Sequence, residues 1–124
     1  MSKSIEFVFD FASPNAYLSY FTVKAVAART GAELKIIPCL LGGIFKSTNN
    51  QPPMMNFAGV SGKNAMFMRE IERYCERHGL TQFAMNPHFP VNTLLLMRAC
   101  VAYGKDHSLD AYVEAGVKMM WESG

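Results

Sequence analysis

Nothing in the sequence constrains the fold more than the run Phe7-Val-Phe-Asp-Phe-Ala-Ser-Pro-Asn-Ala-Tyr-Leu-Ser-Tyr20, in which an apolar strand pattern leads directly into a helix start. Ser13 is a favoured N-cap residue and Pro14 a favoured first helical residue. Tyr17, Phe21, Ala25 and Ala28 then recur at helical spacing. The run is therefore a strand-to-helix corner. With Ser13 as the cap, its hydroxyl lies beside the unpaired N–H groups of Asn15 and Ala16, at the positive end of the helix dipole, where an anion is stabilised. Ser-Pro also opens many helices for structural reasons alone, so the meaning of the corner depends on what surrounds it.

Residues 5–11 are almost continuously apolar and rich in β-formers, which suits a central strand covered on both faces. The helix from Pro14 is expected to end near Gly31, and residues 33–38 read as a second strand. A β-α-β crossover of this kind places the strands parallel, with ligand sites outside their carboxyl ends, where Ser13 lies. Residues 39–62, with Gly42-Gly43, Asn49-Asn50 and Pro52-Pro53, read as a long loop over the site. Everything beyond reads as helix: a segment from Ser61 to Gly79 with Phe67, Ile71, Tyr74 and His78 on one face, residues 94–102 after a proline-punctuated turn, and a last helix capped within residues 106–108. On that last helix Tyr112, Gly116, Val117, Met120 and Trp121 share a face. The stripe Arg69, Arg73, Arg77 stands beside Glu70, Glu72 and Glu76 and reads as a solvated, internally paired surface.

Several functions find no support in the residues. A net charge of +2 without a basic, aromatic-interleaved patch does not favour nucleic acid, and no run approaches the roughly 18 apolar residues of a membrane span. The N-terminus lacks a signal pattern, so a cytoplasmic location is expected. Cys39, Cys75 and Cys100 form no paired motif and read as small buried apolar residues, and His78, His88 and His107 lack metal-ligand spacing, so no metal is expected. Neither a phosphate loop nor a G-x-S-x-G elbow is present.

Three blocks, Phe9-Asp-Phe-Ala-Ser-Pro-Asn-Ala-Tyr-Leu18, Leu40-Leu-Gly-Gly-Ile-Phe-Lys-Ser-Thr-Asn-Asn-Gln-Pro-Pro53 and Phe89-Pro-Val-Asn-Thr93, resemble, in this order, the 2-hydroxychromene-2-carboxylate isomerase family, which is close to the kappa-class glutathione transferases. The resemblance implies an α/β, thioredoxin-like β-α-β unit (residues 1–45) followed by a loop and a large all-helical insertion (residues 46–124). It also implies that the C-terminal part of the thioredoxin-like sheet lies beyond this chain. The implied cofactor is glutathione, with Ser13 as the catalytic residue bonding its sulfur and Asn50 and Lys63 contacting the tripeptide. A hydroxyl donor at a helix N-terminus fits that role, because it favours thiolate over thiol. The implied reaction is reversible thiolate addition to an aromatic keto acid by a homodimeric isomerase. Tyr17, Phe45, Phe57 and Trp121 stand as core residues that could also wall an aromatic pocket. The alternatives are a kappa-like glutathione transferase and a non-catalytic binding or dimerisation fragment. Disulfide exchange at the corner is excluded chemically, since the positions where thioredoxin-like enzymes place C-x-x-C are Ser13-Pro-Asn-Ala16.

Overall fold

β1 (Ser4–Phe9), α1 (Pro14–Thr30) and β2 (Glu33–Pro38) form the β-α-β unit that Ser13-Pro14 and Gly31 specify, in a computed structural model that describes residues 3–105 and 109–123. The strands pair in parallel from Ser4 opposite Glu33 to Phe9 opposite Pro38. Gly31 ends α1 at φ 67°, a left-handed conformation that costs glycine nothing, and its N–H returns to the Ala27 carbonyl.

The inside of this unit differs from the sequence expectation. β1 stops at Phe9, because from Asp10 the backbone turns toward α1 with the Ser13 N–H on the Asp10 carbonyl. Its exposure alternates: Ile5, Phe7 and Phe9 point inward, while Ser4, Glu6 and Val8 point outward, Val8 being 63% exposed. A strand buried on both faces needs a layer on each side of its sheet, and β1 has one covered face and one strand neighbour, β2, among the described residues. On α1 the buried side chains are Pro14, Ala16, Tyr17, Leu18, Tyr20 and Ala27, so Ala25 and Ala28 fall outside the covered stripe.

By packing, the chain divides into two compact units, Met1–Leu40 with Gln82–Gly124, and Leu41–Thr81, whereas the expected boundary at 45/46 follows chain order. In the first unit, α5 (Leu94–Tyr103), α6 (Leu109–Lys118) and a closing π-helical turn (Met119–Ser123) supply the other half of the core. Phe9, Phe11, Tyr17, Tyr20, Cys100, Val113, Val117 and Trp121 are all essentially inaccessible. Phe11 meets Phe9 and Tyr112 edge to face, at 4.9 and 5.8 Å between ring centres. At the rim, the Lys24 ammonium bonds Glu114 at 2.9 Å, and together with Lys118 it holds that carboxyl at about 2. The Phe89–Pro90 peptide is cis. Residues 106–108, expected as a cap, and His107 with them, lie outside the described residues.

The second unit holds α2 (Leu41–Ser47), α3 (Pro53–Asn56) and α4 (Lys63–His78). The expected long loop thus contains two short helices: Leu41, Ile44 and Phe45 give α2 a helical spacing despite Gly42-Gly43, and Pro53 occupies the first position of α3. α4 runs between Gly62 and Gly79, both left-handed, and its arginines pair within the helix, Arg73 with Glu70 at 2.9 Å and Arg69 with Glu72 at 3.2 Å. No helix among the described residues is long and apolar enough to cross a membrane.

Candidate functional site

Between β1 and α1 the chain reverses in four residues, and their polar groups are tied down from several directions. The Phe9 carbonyl accepts from the Cys39 N–H at 2.9 Å, and the Asp10 carbonyl from the Ser13 N–H at 3.2 Å. The Ala12 N–H donates to Asp10 Oδ1 at 2.9 Å. From the far end of the chain, Trp121 Nε1 donates to the Phe11 carbonyl at 3.0 Å. The Ser13 carbonyl takes the first helical bonds, from Ala16 and Tyr17.

Ser13 itself has extended backbone angles (φ −99°, ψ 118°), and its Oγ accepts the Ala16 N–H at 3.2 Å. That leaves the hydroxyl hydrogen as a donor, on a half-buried side chain at the N-terminus of a long helix. Two donors of the same region, the hydroxyl and the helix end, favour a negatively charged atom placed against them. An oxygen nucleophile is not what the arrangement makes of Ser13, since no histidine or other base is bonded to it among the described residues.

Sequence reasoning passed over Asp10 and Thr93. Both are 3% exposed, and Thr93 Oγ1 donates to Asp10 Oδ1 at 2.6 Å across 83 positions of sequence. The available signal was Asp10 itself, an acidic residue with phenylalanine on either side, which a core does not bury without a partner. The thiols nearby are quenched. Burial first, and the Asp10 charge second, push Cys39 up and Cys100 to about 11, so neither is a nucleophile at neutral pH. Cys100 is buried as expected, while Cys39 and Cys75 are half-buried. No group of three His, Cys, Asp or Glu side chains among the described residues is placed to hold a metal ion.

Asn50 and Lys63 belong to the unit that does not contain Ser13. Asn50 is exposed, and its Oδ1 accepts from the Gln51 N–H at 2.8 Å and from Asn56 Nδ2 at 3.1 Å. Lys63 opens α4 with its ammonium 5.3 Å from the Phe57 ring centre, on the wall of a cavity of about 160 Å³ that Met54, Phe57, Met66 and Phe67 line. Of the aromatic residues weighed as pocket walls, Phe57 faces this cavity. Tyr17 and Trp121 are consumed by the core of the first unit, Tyr17 donating its hydroxyl to Glu122 at 2.8 Å.

Comparison with known proteins gives two findings. The sequence model of the DSBA-like thioredoxin domain matches residues 4–124. A segment of 70 residues, 56% of this chain, is 29% identical to glutathione S-transferase kappa 1 of Caenorhabditis elegans and spans 29% of that protein's length. No solved structure matches the chain.

Proposed function

The chain belongs to the DSBA-like thioredoxin domain family, and on that premise we propose that it is a glutathione-dependent enzyme in which Ser13 holds the sulfur of the bound tripeptide. One observation carries the reading: a hydroxyl donor, half open to solvent, stands at the N-terminus of α1 where the chain has no cysteine of its own. Such a corner serves a sulfur brought by a ligand, because it lowers the thiol pKa without being able to form a disulfide. Similarity to a kappa glutathione transferase supports glutathione as that ligand.

Bound glutathione would supply a thiolate able to add reversibly to a conjugated carbon. Ser13 Oγ–H donates to that sulfur, and the Asn15 and Ala16 end of α1 adds its dipole. In the same proposal the Asn50 amide and the Lys63 ammonium contact the tripeptide, an ammonium suiting a carboxylate. The substrate is an aromatic keto acid and the reaction a double-bond isomerisation of the 2-hydroxychromene-2-carboxylate type, supported by the blocks 9–18, 40–53 and 89–93. A kappa-like transferase is the second reading, favoured by the name of the aligned relative.

A side-by-side assay separates the two. Glutathione-dependent isomerisation of a hydroxybenzylidenepyruvate-type compound is expected; conjugation of a generic electrophilic aromatic without any isomerisation would select the transferase, and no dependence on glutathione in either assay would sink both. We further propose a cytoplasmic homodimer. The register pair Val8 and Ile37, apolar side chains that are 63% and 41% exposed side by side on the sheet, supports self-association, since adjoining exposed apolar groups favour a partner surface. Sedimentation of the protein should give a species larger than the monomer, and a single monomeric boundary over a wide concentration range would remove the dimer.

A further inference from the structure

Thr93 occupies the N-cap position of α5, yet its side chain makes no capping bond. A threonine there ordinarily accepts from a backbone N–H of its own helix. Here the hydroxyl is turned away and given to Asp10 Oδ1 at 2.6 Å, within the range of a strong hydrogen bond to a carboxylate, and the first N–H of α5, that of Leu94, is taken by Asn92 Oδ1 at 3.1 Å. The helix has thus lent its cap to another element. The same Oδ1 accepts the Ala12 N–H, and the Asp10 main-chain carbonyl accepts the Ser13 N–H, so Asp10 is bonded through its buried carboxyl group to Thr93 and Ala12 and through its backbone to Ser13, the two latter residues leading into α1.

We propose that Thr93 and Asp10 are positioning residues for Ser13: the Thr93 hydroxyl fixes the Asp10 carboxyl, and through the Ala12 and Ser13 backbone this sets the direction in which Ser13 Oγ is presented. Neither side chain needs to touch a substrate. Both are almost fully buried, and the two bonds of the carboxyl group, at 2.6 and 2.9 Å, are short and directional, which is what holding a donor within a fraction of an ångström requires. The clamp also joins the two ends of the sequence resemblance, the block 9–18 and the block 89–93, whose members meet at this one bond.

The proposal rests on the reading that Ser13 holds a thiolate, and the test keeps the two apart by measuring two quantities. The first is steady-state turnover with glutathione for Thr93→Val and Thr93→Ser; the second is amide hydrogen exchange at Ala12 and Ser13 in the same proteins. Thr93→Val removes the hydroxyl at nearly constant shape and should lower kcat about 10-fold, the effect of one lost bond to a charged group, with the glutathione KM little changed. It should also speed exchange at Ala12. Thr93→Ser keeps the donor and should restore both. Should Thr93→Val not fold, Thr93→Ala takes its place, where a water can occupy the vacated volume. A folded Thr93→Val with wild-type kcat and wild-type exchange at Ala12 would overturn the proposal, as would Thr93→Ser being impaired to the same degree. If the wild-type protein shows no glutathione-dependent activity, the assignment of Ser13 falls, and the clamp is judged on Ala12 exchange alone: unchanged exchange in Thr93→Val overturns it.

Discussion

Alanine in place of Ser13 is expected to lower glutathione-dependent turnover by roughly 10²-fold or more, the scale on which removal of one positioned donor acts. It should also diminish the thiolate absorbance of bound glutathione, because the bond from the Ser13 hydroxyl to a sulfur strengthens as charge develops there. The same change removes the N-cap bond to Ala16, which costs about 0.5–2 kcal/mol of stability, so lost activity could come from a frayed α1. Ser13→Gly separates the effects. Glycine is nearly as good a cap as serine, with a penalty of only a few tenths of a kcal/mol, yet it has no hydroxyl. Turnover should therefore fall in both variants, while the unfolding midpoint should fall mainly in the alanine one. Retention of full activity by Ser13→Gly would take the hydroxyl out of the mechanism.

The second large effect concerns Gly116. In an exposed helix, replacing glycine by alanine gains up to about 1 kcal/mol. On α6 the sign should reverse. A Cβ built on Gly116 falls 2.4 Å from Cε1 of Phe11, and Phe11 is fully buried, locked edge to face against Phe9 and Tyr112. The ring has nowhere to retreat without disturbing those neighbours, so Gly116→Ala is expected to destabilise by about 1–3 kcal/mol, the usual cost of overpacking a core. Urea unfolding measures this directly, and a midpoint equal to or above that of the wild type would show that the core yields. Because Phe11 also offers its carbonyl to Trp121, activity should decline along with stability.

What could be read from the sequence is what is fixed locally. Ser13-Pro14 and Gly31 bound α1, the β-rich run 33–38 is β2, and Gly79 ends α4, because capping and left-handed turns are decided within a few residues. Ser13 was legible as a site for the same reason. α2 was hidden by its two glycines, a weak breaker that the Leu41, Ile44, Phe45 spacing outweighs. The alternating exposure of β1 was hidden because an apolar run reads the same whether one face or two are covered, and that depends on neighbours rather than on the run. Asp10 with Thr93, and Trp121 with Phe11, are pairs 83 and 110 residues apart, and no local rule connects them.

The indole bond from Trp121 to the Phe11 carbonyl has a consequence for how the protein is made. A ribosome delivers β1, α1 and β2 first, and at about 5–20 residues per second many seconds pass before α6 and the π-helical turn can follow. Through that interval Phe9, Phe11, Tyr17 and Tyr20 have no partners from the later helices, and the corner has the bonds made within the β-α-β segment and by Cys39 just after it. Contacts between distant parts of the chain are slow to form, since loop-closure entropy is spent before they return anything. The nascent β-α-β unit is thus an aromatic surface waiting for its cover, and the corner that carries Ser13 gains its Thr93 and Trp121 bonds only when those later segments arrive.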